Sequence, residues 1–283
     1  MLASTVMFAV MSGLVRYVKD AGLDIYKVVL FRFAIGAVLL VSLAMFKIIK
    51  LEFKNSPFLF LRGLLGGIAV FLYFLSIYKI GLAKGTVISS SSPIFATIGG
   101  MLFLKERGSW RKWGLVILAF AGIVMISMGK GGDLSGFGRW ELLAVTGALM
   151  AGGAYVVIKK LSITDSSYAI FMAQCAIGFW MVLIPANLKE ASVGVTEGIL
   201  LLLVGLSAAV GQLLMTWAFK HMNVSTGSLL GFISTVINML IGIMVFEEEM
   251  FLLGILGSVL VIGACAAVVL VDKDPKIVPP RAR

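Results

Sequence analysis

Apolar stretches of about 20 residues recur along this chain, each separated from the next by a short charged connection. A helix rises 1.5 Å per residue, so each stretch reaches across a hydrocarbon layer ~30 Å thick. Ten such spans can be read, at approximately 1–18, 25–46, 58–78, 85–104, 112–129, 140–158, 167–186, 198–219, 225–246 and 250–271. They consume nearly all of the 283 residues, which leaves no room for a soluble domain. Composition points the same way: 60% of the residues are hydrophobic and 13% charged, about half the charged fraction of soluble domains. The predicted fold class is all-α integral membrane, with ten transmembrane helices. Residues 1–18 carry no basic leader and no small-residue cleavage site, so they read as a first helix and not as a signal peptide.

The net charge of +10 does not call for a nucleic-acid partner, because Lys and Arg gather in the connections on one side. With the N-terminus inside, the inner segments hold fifteen of them, Arg62 included, and the outer segments seven. Both termini are therefore expected in the cytoplasm of a cell of bacterial inner-membrane type, and the run Glu247-Glu248-Glu249 outside. Cys175 and Cys265 fall within spans, without metal-type spacing, and read as small apolar residues.

Sliding the chain against itself by 141 residues brings Thr5 onto Thr146, Lys79 onto Lys220, Glu106 onto Glu247 and Gly122 onto Gly263. The first five spans fall on the second five. An odd number of spans per copy forces the second copy to enter from the opposite side, giving two inverted five-helix repeats, a transporter signature. The expected domains are 1–130 and 139–272, followed by a cytoplasmic tail at 273–283.

Polar side chains are rare in lipid unless they line a cavity or bind another helix. Span four holds the densest set: Thr86, Ser89-Ser90-Ser91-Ser92-Pro93 and Thr97. At 100° per residue, Thr86, Ser90, Pro93 and Thr97 share a stripe of roughly 60°. Pro93 cannot donate to the preceding turn and should kink or open the helix, freeing a carbonyl that only a polar cavity would satisfy. The 141-residue shift maps this stripe onto Gly227, Gly231, Ser234 and Asn238 of span nine, also small or polar and on one face. Spans four and nine are expected to face each other across a cavity. Span one offers Thr5, Ala9, Ser12 and Arg16 at the same spacing, and span eight Gly205, Ala209, Gln212 and Thr216.

Each reading has a plainer competitor. Gly63/Gly67 and Gly227/Gly231 can simply let helices approach closely. Ser and Thr can bond back to their own helix, and Gln212 or Asn238 can bond between helices. Arg16 reads as snorkelling. Arg32, about seven residues into span two, either faces the cavity or buttresses helix ends; facing the cavity, it would favour carboxylate or phosphate. Trp217, Tyr73, Tyr78 and Tyr155 read mostly as interface anchors or packing, with stacking on a solute as the alternative. No Asp or Glu lies in mid-span, and His221, the only histidine, sits at an inner helix end. Gly129-Lys130-Gly131-Gly132 lacks Walker spacing, and no HExxH or GxSxG occurs, so neither ATP-driven pumping nor hydrolysis is expected. No cofactor or metal is predicted.

The chain resembles the drug/metabolite transporter superfamily, and within it the EamA-type carriers. The resemblance rests on Pro93, on FLKERGSWRKWGLVILAFAGIVMI (103–126), on TWAFKHMNVSTGSLLGFIST (216–235) and on VFEEEMFLLGILGSVLVIGACAAV (245–268). In that family a Glu follows the fourth helix of each domain and a Gly-containing fifth helix comes next. Glu106 with Gly114 and Gly122, and Glu247 with Gly254 and Gly263, fit. One departure is Ser234, where many relatives place a second proline. The resemblance implies a secondary-active exporter or exchanger of small organic metabolites such as amino acids, with spans five and ten peripheral and one half rocking against the other. A passive channel and a non-transporting scaffold are the rival classes. The expected partners are a small-molecule solute and membrane lipid, with a homodimer left open. The expected cavity residues are Thr86, Ser90, Pro93, Thr97, Gln212, Gly231, Ser234, Asn238, Ser12 and Arg32.

Overall fold

In hydrocarbon, backbone N–H and C=O groups find partners only within a helix or a closed sheet, which is why long apolar runs fold as helices. The computed structural model describes residues 1–20, 22–80, 85, 88–106, 110–129, 138–187, 194–246 and 251–272, and among these every regular element is helical. In chain order they are α1 (Leu2–Asp20), α2 (Ile25–Met45), α3 (Ser56–Ile80), α4 (Ser92–Leu104), α5 (Trp110–Gly129), α6 (Arg139–Leu161), α7 (Ser167–Asn187), α8 (Val195–His221), α9 (Val224–Leu230), α10 (Ile233–Phe246) and α11 (Leu252–Asp272). Among the described residues, six helical stretches have both the length and the apolarity for a membrane crossing, those from Val224 to Val245 counted as one. Thr86, the Glu247–Glu249 run and the tail 273–283 lie outside the described residues.

Helix ends are set by local polar partners. The Asp24 carboxylate accepts the Tyr26 N–H at 2.9 Å to start α2. Lys105, in the left-handed conformation with φ +55°, ends α4, and the Glu106 N–H that follows donates to the Gly100 carbonyl at 3.1 Å. Two further caps cross between the halves. Asp165, between α6 and α7, accepts the N–H groups of Lys54 and Asn55 at 2.8 and 3.2 Å, just ahead of α3. Glu106 Oε1 accepts the Val224 N–H at 2.8 Å, where α9 begins.

Spans four and nine are both interrupted, and at equivalent places. Turns occupy Ser90-Ser91 and Gly231-Phe232, which are 141 residues apart. The tight hydrogen bonds repeat too. Ser91 N donates to Ile88 O and Ile94 N to Ser91 O, at 3.0 and 2.9 Å; Phe232 N donates to Leu229 O and Thr235 N to Phe232 O, at 3.0 and 2.9 Å. The second break needs no proline. Ser234, at the position equivalent to Pro93, donates both its N–H (3.1 Å) and its hydroxyl (2.7 Å) to the Gly231 carbonyl. That carbonyl, freed from regular helix, is thus satisfied within hydrocarbon.

Packing follows the same exchange of halves. α3 lies on α6 as α8 lies on α1; α3 lies on α7 as α8 lies on α2; α4 lies on α6 as α10 lies on α1. The remaining major pairs, α2–α7, α4–α9 and α5–α11, join elements of equivalent spans. This is the contact pattern of two inverted repeats about a pseudo-two-fold axis. The halves are not separate bodies, since each helix packs chiefly on helices of the other half.

The pair α5–α11 shares a second apolar core with α9 and α10, around Ile123, Leu229, Val236 and Val261, and crosses at Gly122 and Gly257. A Cβ on Gly122 would meet the Gly257 carbonyl oxygen at 2.6 Å, so only glycine permits this approach. The main core gathers around Phe33, Leu40, Phe74, Phe171 and Leu201, with Cys175 buried among them. Large apolar side chains such as Phe103, Trp180, Ile184, Val259 and Leu270 are exposed, forming the surface that a bilayer covers.

Candidate solute cavity

The cavity lies between the two interrupted spans and has a volume of about 230 Å³. The turn at Ser90 and the start of α4 at Pro93 line it, as do Ser228, Gly231, Ser234, Thr235 and Asn238 of α9 and α10. α1 contributes Thr5, Phe8 and Ser12, α2 contributes Arg32, and α8 contributes Gln212. α3, α6 and α7 add Arg62, Tyr73, Tyr155 and Gln174. Met11, Val70 and Met215 supply apolar surface. The mixture of apolar lining with a few convergent polar groups is that of a small-molecule site.

Of the ten residues expected at the cavity, eight border it: Ser12, Arg32, Ser90, Pro93, Gln212, Gly231, Ser234 and Asn238. Thr97 does not. It is buried, and its hydroxyl donates to the Pro93 carbonyl at 2.8 Å, the back-bonding that competes with any ligand role. Thr86 is outside the described residues. Back-bonding also engages Ser12, which donates to Phe8 O at 2.9 Å. Tyr73 and Tyr155 border the cavity, whereas Trp217 is exposed and packs on His221 at the end of α8.

The largest correction concerns Arg62. Counted by the charge rule as part of an inner connection, it is a buried residue of α3, 2% exposed. Its Nη2 donates to Gln174 Oε1 at 2.8 Å, and Gln174 Nε2 in turn donates to the Gly66 carbonyl at 3.1 Å. The guanidinium lies directly over Gly66, where a Cβ would displace Arg62 Nη1. Both Arg62 and Gln174 lie within the expected spans, so the rule that embedded polar residues mark a pathway was the signal that could have found them. Arg32, also buried, lies 5.9 Å from the Phe74 ring centroid, within cation–π range. Among the lining residues there is no Asp or Glu, and among the described residues no cluster of His, Cys, Asp or Glu could hold a metal.

Ten spans in an inverted repeat, with a cavity of apolar lining and a few polar groups beside the broken helices, form the architecture of multi-pass membrane transporters. The model of the EamA-like transporter family matches residues 1–128 and again 138–270, and the chain belongs to that family. It is 31% identical to the pseudopaline exporter CntI of Pseudomonas aeruginosa strain UCBPP-PA14, over 92% of this chain and 91% of that one. It is 26% identical to an S-adenosylmethionine uptake transporter of Rickettsia bellii, over 88% and 84% of the two chains. A solved crystal structure superposes with a TM-score of 0.78 over 96% of this chain and 97% of its own, at 14% identity, and so shares the fold.

Proposed function

We propose that this transporter is a secondary-active carrier, an exporter or exchanger of small organic metabolites such as amino acids or related compounds, working by alternating access. The observation that supports this most is the pair of equivalent helix breaks, at Ser90-Ser91 and Gly231-Phe232, that both border one cavity. Two matched hinges beside a midplane site are what an inverted-repeat carrier needs to open first to one side and then to the other. The relative named as an exporter, similar over nearly the whole chain, favours outward transport. The excess of Lys and Arg in alternate connections favours both termini in the cytoplasm of a bacterial inner membrane.

In this reading, residues 1–130 and 139–272 are the repeating units but not the moving ones. α3, α4 and α6 pack together, as do α8, α10 and α1, so each rocking unit combines helices from both halves. The test is counterflow in proteoliposomes. Saturable exchange of labelled against unlabelled amino acid is expected, and Ser90→Trp or Gly231→Trp should abolish it while the protein still folds and inserts. Normal exchange through both variants would refute the site, and flux without saturation would indicate a channel.

A further inference from the structure

Two cations are buried at the cavity, and no carboxylate among the described residues that line it answers them. Arg32 and Arg62 are 6% and 2% exposed, and both border the cavity. Nε and Nη1 of each guanidinium are buried without a hydrogen-bond partner, and so is the Gln212 amide Nε2, on a side chain 3% exposed. A buried, unpaired donor costs free energy, and a buried, unpaired charge costs far more. Among the described residues no Asp or Glu lines the cavity to relieve that cost.

The arrangement is held in place rather than left to chance. Gln174 is oriented by its bond to the Gly66 carbonyl, so that its oxygen meets one Arg62 nitrogen and leaves the others free. Gly66 clears the space along which that guanidinium lies. The charge is also one-sided. The positions 141 residues beyond Arg32 and Arg62 are Ala173 and Leu203, so the second half supplies no matching cation. It supplies instead the neutral groups Gln212, Asn238, Ser228 and Thr235.

We infer that the transported solute is an organic anion carrying two acidic groups, with Arg32 and Arg62 as its counter-charges and the Gln212 amide as a further donor. This deepens the carrier reading and rests on it. Guanidinium matches carboxylate or phosphate geometry and, once desolvated, pairs with it strongly. Phe8, Met11, Val70, Tyr73 and Met215 provide an apolar surface for the body of the molecule. A neutral or cationic solute would leave both arginines unpaired in the occluded state, and the single-sided charge orients the solute in one direction across the pseudo-two-fold axis.

The test is ligand-dependent thermal unfolding of the purified, delipidated transporter at matched ionic strength, with succinate, butyrate, sulfate, putrescine and phosphatidylglycerol as probes. Succinate should stabilise at about a tenth of the butyrate concentration or less, and putrescine not at all. Arg32→Gln or Arg62→Gln should raise the succinate half-saturation about tenfold or more, and Arg62→Lys should restore part of it. Should the Gln variants fail to fold, the Lys variants still decide, with a weakened but measurable succinate response. Stabilisation by putrescine, or a succinate response unchanged in both arginine variants, would overturn the inference. So would sulfate or phosphatidylglycerol matching succinate, which would mark an inorganic-ion or lipid-headgroup site. Succinate counterflow separates the two claims. Arginine-dependent binding without counterflow removes the carrier reading, whereas amino-acid counterflow indifferent to both arginines removes the inference alone.

Discussion

Replacing Glu106 by alanine deletes the carboxylate that ties the end of α4 to the start of α9. In the native protein Oε1 accepts the Val224 N–H at 2.8 Å, a partly buried bond between residues 118 apart in sequence. That N–H belongs to the first turn of a helix and has no intrahelical partner, so its loss is not made good locally. A hydrogen bond to a charged group contributes about 1.5–3 kcal/mol. For a chain of this size, scaled from soluble proteins, that is a fall of roughly 3–5 °C in melting temperature. Glu106→Gln keeps an acceptor in place but gives up the charge, and with it the favourable interaction of an anion with a helix N-terminus, about 0.3–1 kcal/mol. The expected order of stability is therefore native, then Glu106→Gln, then Glu106→Ala, measured by thermal unfolding in one detergent at one scan rate. If Glu106→Ala melted with the native protein, the inter-half cap would contribute nothing and the reasoning would fail. If Glu106→Gln were as unstable as Glu106→Ala, charge alone would be responsible and the hydrogen bond would not.

Ser234→Pro should retain transport and cost about 2 kcal/mol, because the Gly231 carbonyl loses both the Ser234 N–H and the Ser234 hydroxyl at ~1 kcal/mol each, and not the ~3 kcal/mol or more of a proline in regular helix; a collapse in stability or flux would show that the second break differs in kind from the first. Asp165→Ala should destabilise by ~1–2 kcal/mol, because the Lys54 and Asn55 N–H groups ahead of α3 lose their acceptor, and unfolding unchanged from the native protein would contradict that. Gly122→Leu should be tolerated worst of all, since even a Cβ there meets the Gly257 carbonyl oxygen at 2.6 Å; native-like yield and melting would mean that α5 and α11 do not cross at that point.

Much of the fold was legible because lipid leaves the backbone so few options. Apolar runs of spanning length become helices, and the observed boundaries lie within a few residues of the expected ones. The cavity was legible in part. Ser90, Pro93, Gly231, Ser234 and Asn238 stood out because polar and small residues are rare in spans and recurred at the repeat distance. Thr97 shared that stripe, yet its hydroxyl turns back on its own helix. Arg62 was misread because a charge near a helix end snorkels as readily as it turns inward, and periodicity cannot say which.

What the sequence determined alone was the number of spans, their pairing by the 141-residue repeat and, through the odd count, the inversion. Each follows from length, hydropathy and register, which are local or additive properties. Only the tertiary structure decided that span nine breaks without a proline, because a serine hydroxyl can satisfy the carbonyl that a proline would leave free. Only the tertiary structure decided that the two halves interlock, since apolar helix faces are alike in composition and packing partners depend on shape, as at Gly122 and Gly257. It likewise brought Arg32 and Arg62, from different helices, to one cavity with no acid among its described lining residues. Burial and hydrogen bonding depend on what lies across from a side chain, and that is settled when the helices assemble.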